Sequence, residues 1–169
     1  MRVLDSFPEY DVAREQLALV YQQTGRFDQA IALFQEGCKL NPSRQGVYVI
    51  NIAILNKLAN RSAVAQGELE TFVPTIGATR DPELLIAWWY LGELYREHVR
   101  REDAIQAYEN YLRSTESLSD QQSSQIRDFA AQNLRDLKRK ADEGEKEKAA
   151  HKPPWLRGSH QQRFSRRQC

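Results

Sequence analysis

Apolar residues in this chain recur at intervals of three, four and seven, the rhythm of helices that pack along one face. The same phrase is written twice. Residues 13–40 read AREQLALVYQQTGRFDQAIALFQEGCKL and residues 87–114 read AWWYLGELYREHVRREDAIQAYENYLRS. At an offset of 74, Ala13 meets Ala87, Leu17 meets Leu91, Ala18 meets Gly92, Tyr21 meets Tyr95, Ala30 meets Ala104, Ile31 meets Ile105 and Phe34 meets Tyr108. The interval leaves room for one more unit between the copies.

Each copy reads as a helical hairpin. Small residues (Ala18 with Ala30, Gly92 with Ala104) let two helices approach closely, and Tyr21, Phe34, Trp88, Tyr95 and Tyr108 fill the space around the crossing. Stop signals fall between the helices: Gly25 as a C′ residue in QTGRF, and NPSR at 41–44 between units. RDPE offers Asp81 as an N-cap and Pro82 at the first helical position. Ser119 or Asp120 caps a last helix, on which Ile126, Phe129, Ala130, Leu134 and Leu137 form one apolar stripe. Gln122, Arg127, Asp128, Arg135, Lys138 and Arg139 form its polar face. Seven helices and no strand are predicted.

Trp88-x-x-Leu91-Gly92-x-x-Tyr95, followed by Ala104-x-x-x-Tyr108, resembles the tetratricopeptide repeat motif, with Tyr for the usual Phe. The earlier copy resembles it through Leu17, Ala18, Tyr21, Ala30, Phe34 and Pro42, with Arg14 in the tryptophan slot. A middle unit places Tyr48 in that slot and Ala63 near the small-residue slot. It departs from the pattern at Asn51, Ile52 and Leu55, and TFVPTIGATRDPE lengthens its exit. The third unit has Glu116 where the closing proline would stand. The resemblance implies an all-α fold: a short right-handed superhelix of antiparallel hairpins with a C-terminal capping helix. The expected parts are the end of a preceding repeat or an extension at 1–10, repeats at 11–44, 45–81 and 82–116, the cap at 117–143 and a disordered basic tail at 144–169. LDSFPEY resembles the close of a preceding unit, with Pro8 falling 34 residues before Pro42. The first hairpin is therefore expected to continue a longer array or to be covered by another subunit, a homo-oligomer through an uncapped N-terminal face being one form of this.

The adjacent tryptophans divide the work. Neighbours on a helix point about 100° apart, so one narrow seam cannot hold both rings. By its spacing Trp88 packs inside the hairpin, and Trp89 faces elsewhere. In the resembled family the first helix of each unit lines a concave groove. Carried onto this chain, the groove positions are Val12, Glu15, Leu19 and Gln22, then Gly46, Val49, Ala53 and Asn56, then Ile86, Trp89, Glu93 and Arg96. Leu19, Val49, Ala53, Ile86 and Trp89 would form an apolar floor, rimmed by Glu15, Gln22, Asn56, Glu93 and Arg96. Such a groove suits a partner helix or an extended peptide. Relatives that grip the C-terminal carboxylate of chaperones resemble one another in a Lys/Asn/Lys/Arg clamp. Here its slots hold Glu15, Leu19, Ile50, Ile86 and Tyr90, so the resemblance does not extend to chaperone tails.

Charge adds an asymmetry. Residues 151–169 carry five bases (Lys152, Arg157, Arg163, Arg166, Arg167) and no acid, leaving 19 bases against 23 acids elsewhere. The tail also has Trp155 and Phe164, but five charges beside Pro153-Pro154 and Gly158 read as a disordered extension and argue against nucleic-acid or membrane partners. No apolar run reaches the roughly 20 residues a bilayer requires, and Asp5 and Pro8 interrupt any export signal, which points to the cytoplasm. Cys38 and Cys169 form no disulfide framework and no metal spacing. His98 sits near Glu97, Glu102 and Asp103, but Arg96, Arg100 and Arg101 crowd the same turn, so it reads as a surface histidine and not as a metal ligand. No glycine-rich phosphate loop or catalytic constellation emerges, and no cofactor is implied. The reading is a non-catalytic protein–protein interaction scaffold. The alternative is a regulatory or substrate-recruiting repeat segment of a larger enzyme such as a glycosyltransferase or kinase.

Overall fold

The computed structural model describes residues 8–151, and within them the chain forms seven α-helices and no strand. The helices are α1 (Pro8–Gln23), α2 (Phe27–Leu40), α3 (Gln45–Leu58), α4 (Ser62–Phe72), α5 (Pro82–Glu97), α6 (Arg101–Thr115) and α7 (Gln121–Ala150). The expectations for residues 1–7 and for the tail from Lys152 lie outside the described residues. The helix ends follow from local chemistry. Asp81 accepts a hydrogen bond from the Glu83 amide and Pro82 occupies the first turn of α5. Asp120 receives the Ser123 amide at the start of α7.

Three hairpins, α1–α2, α3–α4 and α5–α6, repeat one crossing. Ala18 and Ala30, Ala53 and Ala65, and Gly92 and Ala104 are each 12 residues apart, and all six are buried. Each hairpin also turns on a left-handed residue at the same place. Gly25 has φ +72°, and Asn60 and Val99 both have φ 59°. In each turn the next residue, an arginine, donates its amide back across the bend: Arg26 to Tyr21, Arg61 to Asn56 and Arg100 to Tyr95, all at 2.8 Å. Arg26 and Arg100 then lay their guanidinium groups over the rings of Tyr21 and Tyr95, at 4.5 and 4.4 Å from the centroids. At the middle turn the ring is replaced by Asn56, and Arg61 pairs with Asp28 instead, at 2.7 Å.

This geometry corrects the register of the middle unit. Its small residues are Ala53 and Ala65, where Tyr48 in the tryptophan slot would put Ile52 and Val64, so the unit lies 35 residues after the first. Tyr48 is fully buried, but outside the tryptophan slot, which Val49 occupies. Two apolar clusters fill the spaces between hairpins. Tyr48, Ile52 and Leu55 of α3 pack with Ala30, Ile31 and Phe34 of α2. Ala87, Leu91 and Leu94 of α5 pack with Ala65 and Leu69 of α4 and with Val73 beyond it, while Trp88 sits half-buried against the same cluster.

The chain divides after Leu134 into two compact units. The first 14 residues of α7 belong to the repeat body. Ala130 is buried there and Ile126 half-buried, but Phe129 is 66% exposed, which corrects its expected place on the apolar stripe. Arg127, assigned to the polar face, is half-buried and donates to the carbonyls of Thr115 and Leu118, at 2.7 and 2.6 Å, where α6 ends. In the second unit the helix continues to Ala150, past the boundary expected at 143, and Arg139 meets Asp136 and Glu143 at 3.7 and 3.3 Å on its exposed surface.

Three substitutions test the crossing, an open helix position and the turn. A methyl group at Gly92 would lie 2.7 Å from the buried Tyr108 ring, so Gly92→Ala is expected to lower stability by about 1–3 kcal/mol in denaturant melts. The same change at Gly67, where nothing lies within 4 Å, is expected to raise stability by about 0.5–1 kcal/mol. Val99, a β-branched residue in the left-handed region and 83% exposed, has no packing to lose. Val99→Asn is therefore expected to stabilise by about 1 kcal/mol in the same melts.

Candidate functional site

The first helices of the hairpins bring one face each to a common cleft of about 450 Å³. From α1 come Glu15, Leu19 and Gln22, spaced i, i+4, i+7; from α3 come Val47, Ile50, Asn51 and Ile54; from α5 come Glu83, Ile86 and Tyr90. The first turns of α7 close one side with Ser123 and Ile126. Aliphatic side chains make the floor. Carboxylates of Glu15, Glu83 and Asp120 stand among the lining residues, with Arg44 as the cation. Arg44 pairs with Glu15 at 2.8 Å. Burial works against the guanidinium's charge, but the Glu15 bond and the nearby carboxylate charges outweigh it and hold its pKa above the ordinary value. The Arg44 Nε is shielded from solvent and has no hydrogen-bond partner.

Carboxylate clasps, buried at Asp11 and half-buried at Glu70 and Glu93, hold the hairpins in the positions that form this cleft. Asp11 of α1 accepts from Tyr48 Oη at 2.6 Å, Asn41 Nδ2 at 2.5 Å and Arg14 Nη1 at 2.7 Å. Glu70 of α4 accepts from Gln66 and Arg100 at 2.9 and 2.7 Å, and from the Tyr95 hydroxyl. Glu93 of α5 accepts from Tyr108 Oη at 2.5 Å and Asn133 Nδ2 of α7 at 2.7 Å. Burial pushes the Asp11 and Glu70 pKa values up, but these donors and cations prevail and hold both below the ordinary carboxylate values. Burial and the carboxylate partner push the Tyr48 and Tyr95 hydroxyls up to about 12.

Of the ten residues expected to line a groove, Glu15, Leu19, Gln22 and Ile86 line this cleft. Six do not. Val49 faces Glu68 and Thr71 on the α4 side, Ala53 is buried in the crossing with Ala65, and buried Asn56 donates to Glu68 at 3.1 and 3.2 Å. All three follow from the one-residue register error in the middle unit. Val47, Ile50 and Ile54 take their places. Trp89, Glu93 and Arg96 lie outside the cleft, and α7 reaches Glu93. Trp89 and Glu93 are one turn apart on the same face of α5, and Asn133 meets Glu93 there. Trp89 is half-buried, lies edge-on to Tyr90 at 4.8 Å, and its Nε1 is hidden from solvent without a partner. Arg96 is bound to Glu93 at 2.7 Å.

Among the described residues no group of three or more His, Cys, Asp or Glu side chains could hold a metal ion. His98 is exposed and bonds Gln66, while its acidic neighbours Glu97 and Asp103 pair with Lys57 and Arg100 at 2.6 and 2.7 Å. No described helix is long and apolar enough to cross a membrane. The cleft presents shape, apolar surface and a few fixed charges.

The sequence model of the tetratricopeptide repeat matches residues 12–44. Solved structures share the fold. The Sgt2 TPR domain from Aspergillus fumigatus is similar at 17% identity and TM-score 0.57, over 82% of this chain and 87% of that one. The first TPR of Spaghetti (RPAP3), solved bound to the HSP90 peptide SRMEEVD, is similar at 18% identity and TM-score 0.54, over 77% and 97%. BtubC (BKLC) from P. vanneervenii is similar at 21% identity and TM-score 0.51, over 90% and 66%. No curated protein sequence matches the chain.

The clasps make the fold acid-sensitive. A carboxylate held below its unfolded pKa contributes stability above the unfolded value, and that contribution is lost as pH falls through the folded value. The urea midpoint of the protein is expected to drop between pH 6 and pH 3 (chosen to bracket roughly the ordinary carboxylate range). Tyr48→Phe, which removes one donor from Asp11, is expected to flatten that drop. An equally steep fall in the variant would show that the clasp does not carry the effect.

Proposed function

Residues 12–44 are a tetratricopeptide repeat and the chain carries the fold of tetratricopeptide-repeat domains; from that premise we propose that it is a non-catalytic scaffold whose cleft holds a peptide or a helix of a protein partner. The observation that carries this reading is the convergence of Leu19, Ile50, Ile54 and Ile86, from three separate helices, on one open apolar floor. A floor built on rigid helices positions a ligand's side chains without rearrangement, and the fixed charges at its edge set orientation.

The chemistry of the lining narrows the ligand. With the middle register corrected, the five carboxylate-clamp slots hold Glu15, Leu19, Asn51, Ile86 and Tyr90, which all line the cleft; Asn51 carries an amide and none carries a cation. We infer that the cleft is built for aliphatic side chains and does not grip a free C-terminal carboxylate. The RPAP3 domain is bound to an acidic peptide; the partner of this cleft presents apolar residues at helical spacing, with its basic residues toward Glu83 and Asp120.

Selection of a displayed peptide library on the full chain tests this. Enriched peptides are expected to be rich in Leu, Ile, Phe or Met. Leu19→Glu and Ile54→Glu are each expected to weaken their binding about 30-fold or more, as charge burial in an apolar contact does, while circular dichroism stays unchanged. Trp89→Ala is expected to leave affinity within about threefold, since that ring lies outside the floor. Peptides that bind both floor variants as well as the parent chain would refute the cleft as the site.

A further inference from the structure

The second helices of the first and third hairpins meet water with charge: Asp28, Glu36 and Lys39 are exposed on α2, and Glu102 and Arg113 on α6. The second helix of the middle hairpin does not. The exposed residues of α4 are Ala63, Val64, Gly67 and Thr71, none of them charged. Its two acids are half-buried; Glu70 belongs to the clasp with Arg100, and Glu68 meets Asn56 of α3. Ala63, Gly67 and Thr71 follow at i, i+4 and i+8, so small side chains keep one side of the helix low. Gly67 stands inside the helix with nothing within 4 Å of its Cβ position. Glycine weakens a helix interior, and no neighbour in the fold requires the missing side chain.

Two cavities of about 400 and 520 Å³ lie beside this face and share Val49, Glu68 and Thr71, so they form one groove. Ile52 and Gly67 line one end, and Phe72, Ile76 and Leu84 line the other. Among the described lining residues Glu68 alone is charged. Glu15, Glu70, Glu93 and Asp103, also half-buried, each meet an arginine at 2.7 or 2.8 Å. Glu68 has no ion pair among the described residues, and both its oxygens share one donor, Asn56 Nδ2, at 3.2 and 3.1 Å. Burial holds its pKa above the ordinary carboxylate value, against the pull of Asn56 and the Arg61 charge.

We propose that this groove is a second protein-binding surface, which takes a partner helix lying along α4 with one lysine or arginine, flanked by aliphatic residues, set on Glu68. The lone carboxylate selects the cation, and the apolar walls on either side of it select the flanking residues. Gly67 lets the partner's backbone approach, as the small residues at the hairpin crossings do within the chain. A helix fits here and a strand does not, because α4 offers no open backbone edge to pair with. The surface is separate from the cleft. Neither Gly67 nor Glu68 lines the cleft, and α3 turns Ile50 and Ile54 to the cleft but Val49 and Ile52 to the groove. The proposal therefore stands whether or not the cleft binds a ligand.

Selection of displayed helical peptides on the full chain tests it. A class of binders is expected that carries one Lys or Arg between aliphatic residues and is unaffected by Leu19→Glu in the cleft. Gly67→Leu is expected to weaken this class about 30-fold by filling the point of closest approach, without lowering the urea midpoint, since the new side chain meets no neighbour at its Cβ. Glu68→Gln is expected to weaken the same peptides about tenfold and to flatten their salt dependence, because it removes charge and keeps shape. A selection in which no enriched peptide is weakened more than about threefold by Gly67→Leu would overturn the proposal. So would Gly67-sensitive peptides that lack a basic residue or bind Glu68→Gln as tightly as the parent chain. Self-association in sedimentation equilibrium that Gly67→Leu abolishes would give the face to a second copy and equally overturn it.

Discussion

The structure depends on one close approach repeated three times. Ala18 on Ala30, Ala53 on Ala65 and Gly92 on Ala104 are contacts in which almost no side chain separates two helix backbones. The approach sets the distance and angle of each pair, and these set where every other residue of the hairpin points. At the third crossing the Tyr108 ring lies where a Gly92 methyl would be. The aromatic residue takes up volume that alanine yields elsewhere, an exchange that keeps the interior close-packed. The turns obey the same constraint. Helices this close and antiparallel are joined by three or four residues, which forces one residue into the left-handed region, whether it is glycine, asparagine or valine.

Much of this was legible because helical spacing and small-residue pairs are properties of the sequence alone. The first and third hairpins, the Asp81 cap and the exit after Phe72 could be read directly. The middle register could have been read as well. TGRFDQA, ANRSAVA and HVRREDA align with the left-handed residue, the arginine after it and the small residue of the second helix in step. The tyrosine at 48 drew the alignment one residue early, because a large aromatic resembles a tryptophan slot more than Val49 does. On a helix, an error of one residue turns every inferred direction by about 100°. It moved Val49, Ala53 and Asn56 into a groove they do not line.

The place of Trp89 was not legible for a different reason. Helical spacing shows which residues share a face, but not what another element lays over that face. Glu93 could be assigned to a rim on spacing alone. It is instead the acceptor for Tyr108 and for Asn133, and Asn133 is 40 residues further along the chain. The α7 helix thereby claims Glu93 from the expected groove. It restores part of it from its own first turns, through Ser123 and Ile126.

The buried polar groups complete the specification that apolar packing leaves open. Leucine and isoleucine faces can slide past one another by a turn at modest cost, whereas the Asp11 carboxylate is satisfied in one arrangement. Its donors come from α1, from the end of α2 and from α3. A slip of α3 by one turn would leave a buried carboxylate without Tyr48, and an unmatched buried charge costs more than a lost apolar contact. Arg14, in the slot that holds a tryptophan in the third hairpin, is part of the same arrangement, paired with Asp11 at 2.7 Å and itself buried. The first hairpin thus exchanges a large apolar side chain for a charged pair that fixes how the second hairpin seats. The cleft floor, built from α1, α3 and α5 together, inherits its geometry from that seating.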